Sequence, residues 1–392
     1  MVYSERSLMS MRVSIVVLLT ALLVLTGCGN LARTPPPEPP ALTDDRVRLD
    51  WGFRFVRDWQ PGQGPERLRP ALGDDHLYVA YQDGQVAALD RDTGRVQWRQ
   101  QYEPWQAGVT LADGRLYLVS KAGDLKTLSA EDGSLLQSSH LNLSTLAAPV
   151  VEGDRVALIG RDGSLRLWDL SNESWVWIYD SEQPGLTLHG QAQPLIVGDQ
   201  VVAGFANGRL AGFSLRTGEL RWAQRLSDPR GSTDLQRLVD VDTSPLLVNG
   251  RIFAGSFEGR LLGVAADTGE PSWTIDKSVT ASLATDGRSL FVADRGGEIV
   301  AYDLQTQGER WRQQGYSGRP LTGLTVAGNR LVVTDRRGYI HVLDSANGDT
   351  IGRLDFSGSR HFTVPAVADG ERFYAQSMEG MIISGRERPG RE

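Results

Sequence analysis

The chain has 392 residues, 40% of them hydrophobic and 23% charged, with a formal net charge of −7. Acidic and basic residues are mixed along it with no basic stripe, which argues against nucleic acid as a partner. A single cysteine excludes an intrachain disulfide, and the length alone would allow more than one domain.

Residues 1–27 read as a signal peptide outside the fold. Arg6 and Arg12 give a positive start, and Val13–Leu25 is an apolar run of thirteen residues. That suits a signal-peptide core and is too short to span a bilayer comfortably. Leu25-Thr26-Gly27-Cys28 then resembles a bacterial lipobox, in which the cysteine is lipidated and begins the mature chain. A stray thiol at an ordinary cleavage site is the alternative; lipidation of Cys28 explains why the lone cysteine stands here. In such lipoproteins an aspartate after the cysteine signals inner-membrane retention, so Gly29 implies sorting to the outer membrane. Cleavage removes Glu5, Arg6 and Arg12, a charge of +1, and leaves the mature chain at −8. Residues 28–46, with PPPEPP at Pro35–Pro40, read as an extended tether from lipid to folded domain. The mature chain is expected to be anchored at a membrane without spanning it.

Residues 47–387 are governed by a local ruler, and 388–392 are a polar tail. Five times a turn glycine is followed fourteen positions later by tryptophan: Gly84 and Trp98, Gly163 and Trp177, Gly208 and Trp222, Gly259 and Trp273, Gly297 and Trp311. Gly123 and Gly338 keep the turn but reach Gln137 and Gly352, and an eighth glycine is Gly380. The first repeat breaks into apolar runs at Pro70–Leu72, Leu77–Tyr81, Val86–Leu89 and Val96–Trp98, separated by Gly-Asp-Asp, Asp-Gly and Asp-Thr-Gly turns. The glycines lie 39, 40, 45, 51, 38, 41 and 42 residues apart. Four strands in each such period predict an all-β, eight-bladed propeller. The tryptophans are expected to pack between blades, a structural role rather than a cofactor stack. Trp59, Trp105, Trp168 and Trp175 fall outside the register.

The eighth repeat, Pro365–Ser384, supplies three strands before the sequence stops. The segment Val47–Trp59 has no other partner and carries Trp51, so it is expected to be the outer strand of the last blade and to close the ring.

Two consecutive intervals, 45 and 51, are long. Their insertions are Ser181–Gln193 and Ser227–Asp242, both between one blade's last strand and the next blade's first. Such connections leave a propeller on one face, so the two loops should be neighbours. Leu186 and Leu188 in the first loop, beside Asp240 and Asp242 in the second, suit a protein partner with apolar and basic groups. The alternative is that the leucines cover a blade edge and the aspartates cap turns.

No catalytic constellation emerges. The five histidines are scattered over different repeats without metal-ligand spacing, and no GxSxG or phosphate loop is present. No catalytic residue, metal or cofactor is expected. Ala88–Trp98 (ALDRDTGRVQW) and Val264–Trp273 (VAADTGEPSW) resemble the repeats of pyrroloquinoline-quinone dehydrogenases. Those enzymes commonly add a vicinal cysteine pair, which this chain lacks, so the resemblance implies the scaffold, with a quinoprotein dehydrogenase as the alternative function.

Lipobox, proline-rich tether and eight repeats together resemble the BamB family, lipoprotein propellers of the β-barrel assembly machinery of Gram-negative outer membranes. Pro184–Pro194 (PGLTLHGQAQP) and Gln236–Pro245 (QRLVDVDTSP) resemble the two family loops that bind BamA. The resemblance implies a non-catalytic scaffold, on the periplasmic side of the outer membrane, that docks on the POTRA domains of BamA and assists barrel insertion. Other subunits of the machinery, and unfolded barrel precursors pairing with outer strand edges, are the further partners considered. It carries BamA contacts onto Leu186, Leu188, Asp240 and Asp242, and onto His189 where the family has arginine. Histidine is shorter and mostly neutral at pH 7, so that contact is expected to be weaker or pH-dependent.

Overall fold

The structure is a computed structural model describing residues 38–42, 45–54, 68–182, 192–227, 240–241, 243–256, 259–279, 281–358 and 360–388. Its strands form eight four-stranded antiparallel sheets. From inner to outer strand, blade 1 runs from Ala71–Leu72 to Val96–Gln101, blade 2 from Trp105–Ala112 to Leu135–His140, and blade 3 from Val150–Glu152 to Ser174–Tyr179. Blade 4 runs from Leu195–Val197 to Leu220–Arg225, blade 5 from Leu246–Val248 to Pro271–Ile275, and blade 6 from Ala284–Thr285 to Glu309–Gln313. Blade 7 runs from Leu321–Ala327 to Thr350–Asp355. Blade 8 takes Val367–Asp369, Arg372–Gln376 and Met381–Glu387 from the end of the chain and Val47–Arg54 from its beginning.

The eight-bladed propeller expected from the ruler is thus observed, and so is its closure. Val47–Arg54 pairs antiparallel with Met381–Glu387, from Val47 opposite Glu387 to Arg54 opposite Met381. Residues 55–59 of the expected closing segment lie outside the described residues. Asp50 fixes the new outer strand electrostatically, within 3.1–3.4 Å of Arg48, Arg372 and Arg386.

The second and third strands of each blade are the buried ones, for example His76–Ala80 and Gln85–Asp90 in blade 1. Both of their faces meet neighbouring blades, so they read as continuous apolar runs, whereas the outer strands alternate. The core is therefore a set of eight slabs between blades. One slab joins Phe291, Trp311 and Ile299 of blade 6 to Leu331 and Val333 of blade 7. The closing slab joins Leu77, Val79 and Leu89 of blade 1 to Tyr374 and Ile382 of blade 8. Each burial is counted once per interface, and closing the ring leaves no blade face without a partner.

The ruler glycine is fixed by two constraints at once. Gly84 has φ of +99°, and a Cβ there would lie 2.0 Å from the carbonyl oxygen of Tyr102. The acids in the Asp-x-x-Thr-Gly turns are structural. Asp90 Oδ1 accepts from the amides of Asp92 and Thr93 and from Thr93 Oγ1. Those bonds from Thr93 hold the Asp90 carboxyl below its ordinary range.

Strand direction defines two faces. The turns between second and third strands share one face with the blade-to-blade connections, here called the connection face. The turns between inner and second strands, and between third and outer strands, lie on the opposite face.

Candidate docking face

The two long connections flank blade 4, and their described ends converge on one turn of that blade. Asn207, in the turn between the second and third strands of blade 4, donates from Nδ2 to Ser181 Oγ at 3.2 Å, where the first connection begins. At the end of the second connection the amide of Val241 donates to the carbonyl of Phe205, at the start of the same turn. Val241 is buried against Gly204, where a Cβ would lie 2.5 Å from Val241 Cγ1. The ends also bond each other: the amide of Gln193 donates to Ser244 Oγ at 2.9 Å. The expectation that the two connections are neighbours in space is met at these ends.

Of the site residues read from sequence, Asp240 is the one placed. It is 2% exposed, with Val241 at 3% beside it. Leu186, Leu188, His189 and Asp242 lie outside the described residues, as does Cys28. The polar residues that tie the loop ends, Ser181, Asn207, Gln193 and Ser244, were not read from sequence. Their signal was the placement of small polar side chains at the ends of both insertions, which a ruler built on glycine and tryptophan does not weigh.

At the centre of the ring, inner strands of blades 8, 1, 2 and 3 line a cavity of about 350 Å³. Its wall mixes apolar side chains, among them Leu72, Val109, Leu111, Val150 and Val367, with a comparable polar surface that includes Arg69, Thr110 and Gln193. Arg69 donates from Nη2 to the carbonyl of Ala366 at 3.0 Å, and burial pushes its pKa down.

A buried charged cluster lies elsewhere, at blade 7. Arg319 Nε donates to Asp335 Oδ2 at 2.6 Å, His341 Nε2 stands 3.4 Å from the same oxygen, and the Tyr316 ring packs 4.6 Å from the imidazole. Burial would raise the Asp335 carboxyl, but the His341 bond, the Arg337 amide and Arg319 together hold it low. Burial pushes His341 down and lifts the Tyr316 hydroxyl to about 12. Arg319, Asp335, His341 and Tyr316 are all 3% exposed or less, so this cluster braces blade 7 and offers no reacting atom to solvent. Among the described residues no group of three or more His, Cys, Asp or Glu side chains is placed to hold a metal ion.

The family model described as outer membrane protein assembly factor BamB matches residues 82–313 and 297–385. The outer membrane protein assembly factor BamB of Kangiella koreensis is 32% identical over 372 residues, 93% of this chain and 94% of that one. The crystal structure of BamB from Moraxella catarrhalis superposes with a TM-score of 0.77 at 25% identity, over 87% of this chain and 99% of that one. The quinohemoprotein alcohol dehydrogenase of Comamonas testosteroni gives a TM-score of 0.66 at 12% identity, covering 88% of this chain and 78% of the enzyme, a likeness of fold alone.

Proposed function

The chain belongs to the BamB family of outer membrane protein assembly factors, and from that premise we propose that it is a non-catalytic scaffold subunit of the β-barrel assembly machinery. In this reading it is held by a lipid on Cys28 at the periplasmic side of the outer membrane. It docks through the face around blade 4 on the POTRA domains of BamA and assists folding and insertion of barrel proteins.

The observation that carries the docking reading is the convergence of both long connections on the Phe205–Asn207 turn. Tying both loops together at their base lowers the ordering cost of binding. Leu186 and Leu188 would be the apolar anchors. Asp240 is buried in the free chain, which suits it to hold the base of the second loop, while Asp242 would meet basic groups or backbone amides on the partner. His189 would add a weaker, pH-sensitive contact.

Native purification from Gram-negative membranes tests this reading. The chain should bring down BamA and its companion subunits. Recovery with other periplasmic proteins and no BamA would defeat it. Dye reduction by the purified protein after addition of pyrroloquinoline quinone and calcium would favour a dehydrogenase instead.

A further inference from the structure

The short stretch before the closing strand is bound to the propeller along a defined track. The amide of Arg46 donates to the carbonyl of Ile351 at 3.1 Å, and the amide of Arg353 donates to Asp45 Oδ1 at 3.3 Å. Both acceptor and donor belong to the outer strand of blade 7, so these bonds occupy backbone groups on its free edge. Farther back, Arg353 Nη1 donates to the carbonyl of Pro40, and a Cβ at Gly315 would lie 2.6 Å from Pro40 Cγ and 3.6 Å from Pro40 Cβ. Pro39 is buried.

This track has a direction. Ile351 is near the start of the outer strand of blade 7, toward the opposite face. Gly315 follows the end of the outer strand of blade 6, on the connection face. Followed backwards from Val47, the chain climbs the edge of blade 7 and departs on the connection face, at the seam between blades 6 and 7. Ten residues separate Glu38 from Cys28, roughly 30 Å as a proline-stiffened extended chain.

A second observation concerns charge. Exposed tips of the turns between second and third strands, on the connection face, carry Lys121, Arg161, Arg295, Arg336 and Arg337. The exposed acids on that face, among the described residues, are Asp83 and Asp162 in those turns, with Asp162 bonded to Arg166, and Asp180, Glu182 and Asp276 in the blade-to-blade connections. On the opposite face the turns between inner and second strands carry Asp74, Asp113, Asp154, Asp199 and Asp286, with Arg288 as an exposed base. The Arg295, Arg336 and Arg337 tips belong to blades 6 and 7, where the tether departs.

We propose that the stretches 39–42 and 45–46 act as a fixed strap that turns the connection face of blades 6 and 7 toward an anionic lipid surface. The proposal rests on the lipid-anchor reading of Cys28. The strap sets where the tether leaves, and the basic turn tips favour headgroup phosphates on that side. The acidic opposite face is turned away from the bilayer. The long connections around blade 4 share the membrane-proximal face, so a partner docked there is held near the bilayer too.

Two measurements on the full-length chain, produced in a Gram-negative host, test this. The first pairs Pro40→Cys with Gly315→Cys. Their Cβ separation of 3.6 Å lies within the span of an ordinary disulfide, so mild oxidation should close the bridge, while Pro40→Cys with Asn347→Cys on the opposite face should stay reduced. Equal bridging in both pairs, or none in either, would overturn the strap. The second places a fluorophore at Ser317→Cys on the connection face or at Ala346→Cys on the opposite face, in vesicles of phosphatidylethanolamine and phosphatidylglycerol containing a headgroup quencher. Quenching should be stronger at 317, and Arg336→Glu with Arg337→Glu should reduce it. A chain that floats with the vesicles but is quenched equally at both sites contradicts the proposal alone. A chain that does not float defeats the lipid-anchor reading, and the proposal with it.

Discussion

The indole Nε1 of Trp98 donates to the carbonyl oxygen of Ala130 at 3.0 Å, joining the outer strand of blade 1 to blade 2. Ala130 stands seven residues after its ruler glycine, Gly123, and the same bond recurs from Trp177 to Leu215, from Trp311 to Ser345 and, across the closure, from Trp51 to Arg91. The indole lies over the glycine ten residues after the ruler glycine, so that a Cβ at Gly133 would come within 2.5 Å of Trp98. Trp222 uses a relay, donating to Gln200 Oε1 while Gln200 Nε2 donates to the carbonyl of Ala266. Where blade 2 has Gln137 in place of tryptophan, its Nε2 reaches the equivalent carbonyl, Leu170, at 3.1 Å.

Blade 3 matches that substitution. Its turn carries Glu173, at φ of +48°, where most blades have glycine. Gln137→Trp alone should therefore cost about 1–3 kcal/mol, because the indole meets the Glu173 side chain. Adding Glu173→Gly should recover that loss and relieve about 1 kcal/mol of left-handed strain. A denaturation double-mutant cycle reads the coupling, and additive effects would refute the pairing.

Glycine substitutions should separate crowding from backbone strain. Gly218 has φ of +72° and a Cβ there would lie 2.6 Å from Trp177, whereas Gly153 has φ of +53° with nothing within 4 Å. Gly153→Ala should cost about 1 kcal/mol, the strain alone. Gly218→Ala should cost about 1–3 kcal/mol more as the indole is displaced. Chemical denaturation midpoints with unchanged slopes would measure both.

This ruler explains why so much of the fold was legible. A glycine forced by φ and by a carbonyl at 2.0 Å, and a tryptophan forced by the next blade, recur in sequence because the contact recurs in space. The closing role of Trp51 followed from the same contact, since the eighth repeat needed an outer strand. What the ruler could not reveal were features outside the repeat. The blade 7 cluster uses Tyr316 and Arg319 from one connection and Asp335 and His341 from the second and third strands, positions with no periodic signal. Spacing alone, which puts Asp240 and Asp242 on one side of an extended chain, carries no sign that the Val241 amide bonds the Phe205 carbonyl and that Asp240 is buried beside it. The edge track of Pro40, Asp45 and Arg46 was likewise hidden inside a proline-rich stretch that reads as linker.

Asp335→Ala should be among the most damaging single changes. The Arg319 and Asp335 side chains are 2% and 0% exposed, so removing the acid leaves a buried cation. Loss of about 3–5 kcal/mol is expected, measured by urea unfolding. A loss below about 1 kcal/mol, the range of an exposed pair, would show that water enters the site.

Glu298 sets an acid limit on blade 6. Burial alone would raise its carboxyl, but bonds from Lys277, Gln314 and Arg312, with the charge of Lys277, outweigh it and hold the pKa at about 2 against an ordinary 4.5. The folded state therefore binds this proton more weakly than the unfolded state. Its stabilisation is complete above about pH 4.5 and is lost as pH falls toward 2. Melting temperature should fall across that window, and Glu298→Gln should flatten the fall without changing the profile above pH 6. An unchanged slope in the variant would assign the acid limit to other carboxylates.

Docking through the blade 4 face is tested most directly by titrating residues 29–392 with the POTRA domains of BamA from the same organism. Leu186→Ala with Leu188→Ala, and Asp240→Ala with Asp242→Ala, should each abolish binding while melting temperatures confirm that the propeller stays folded. A parent chain that fails to bind, or double variants that remain folded and bind as the parent does, would contradict docking through this face.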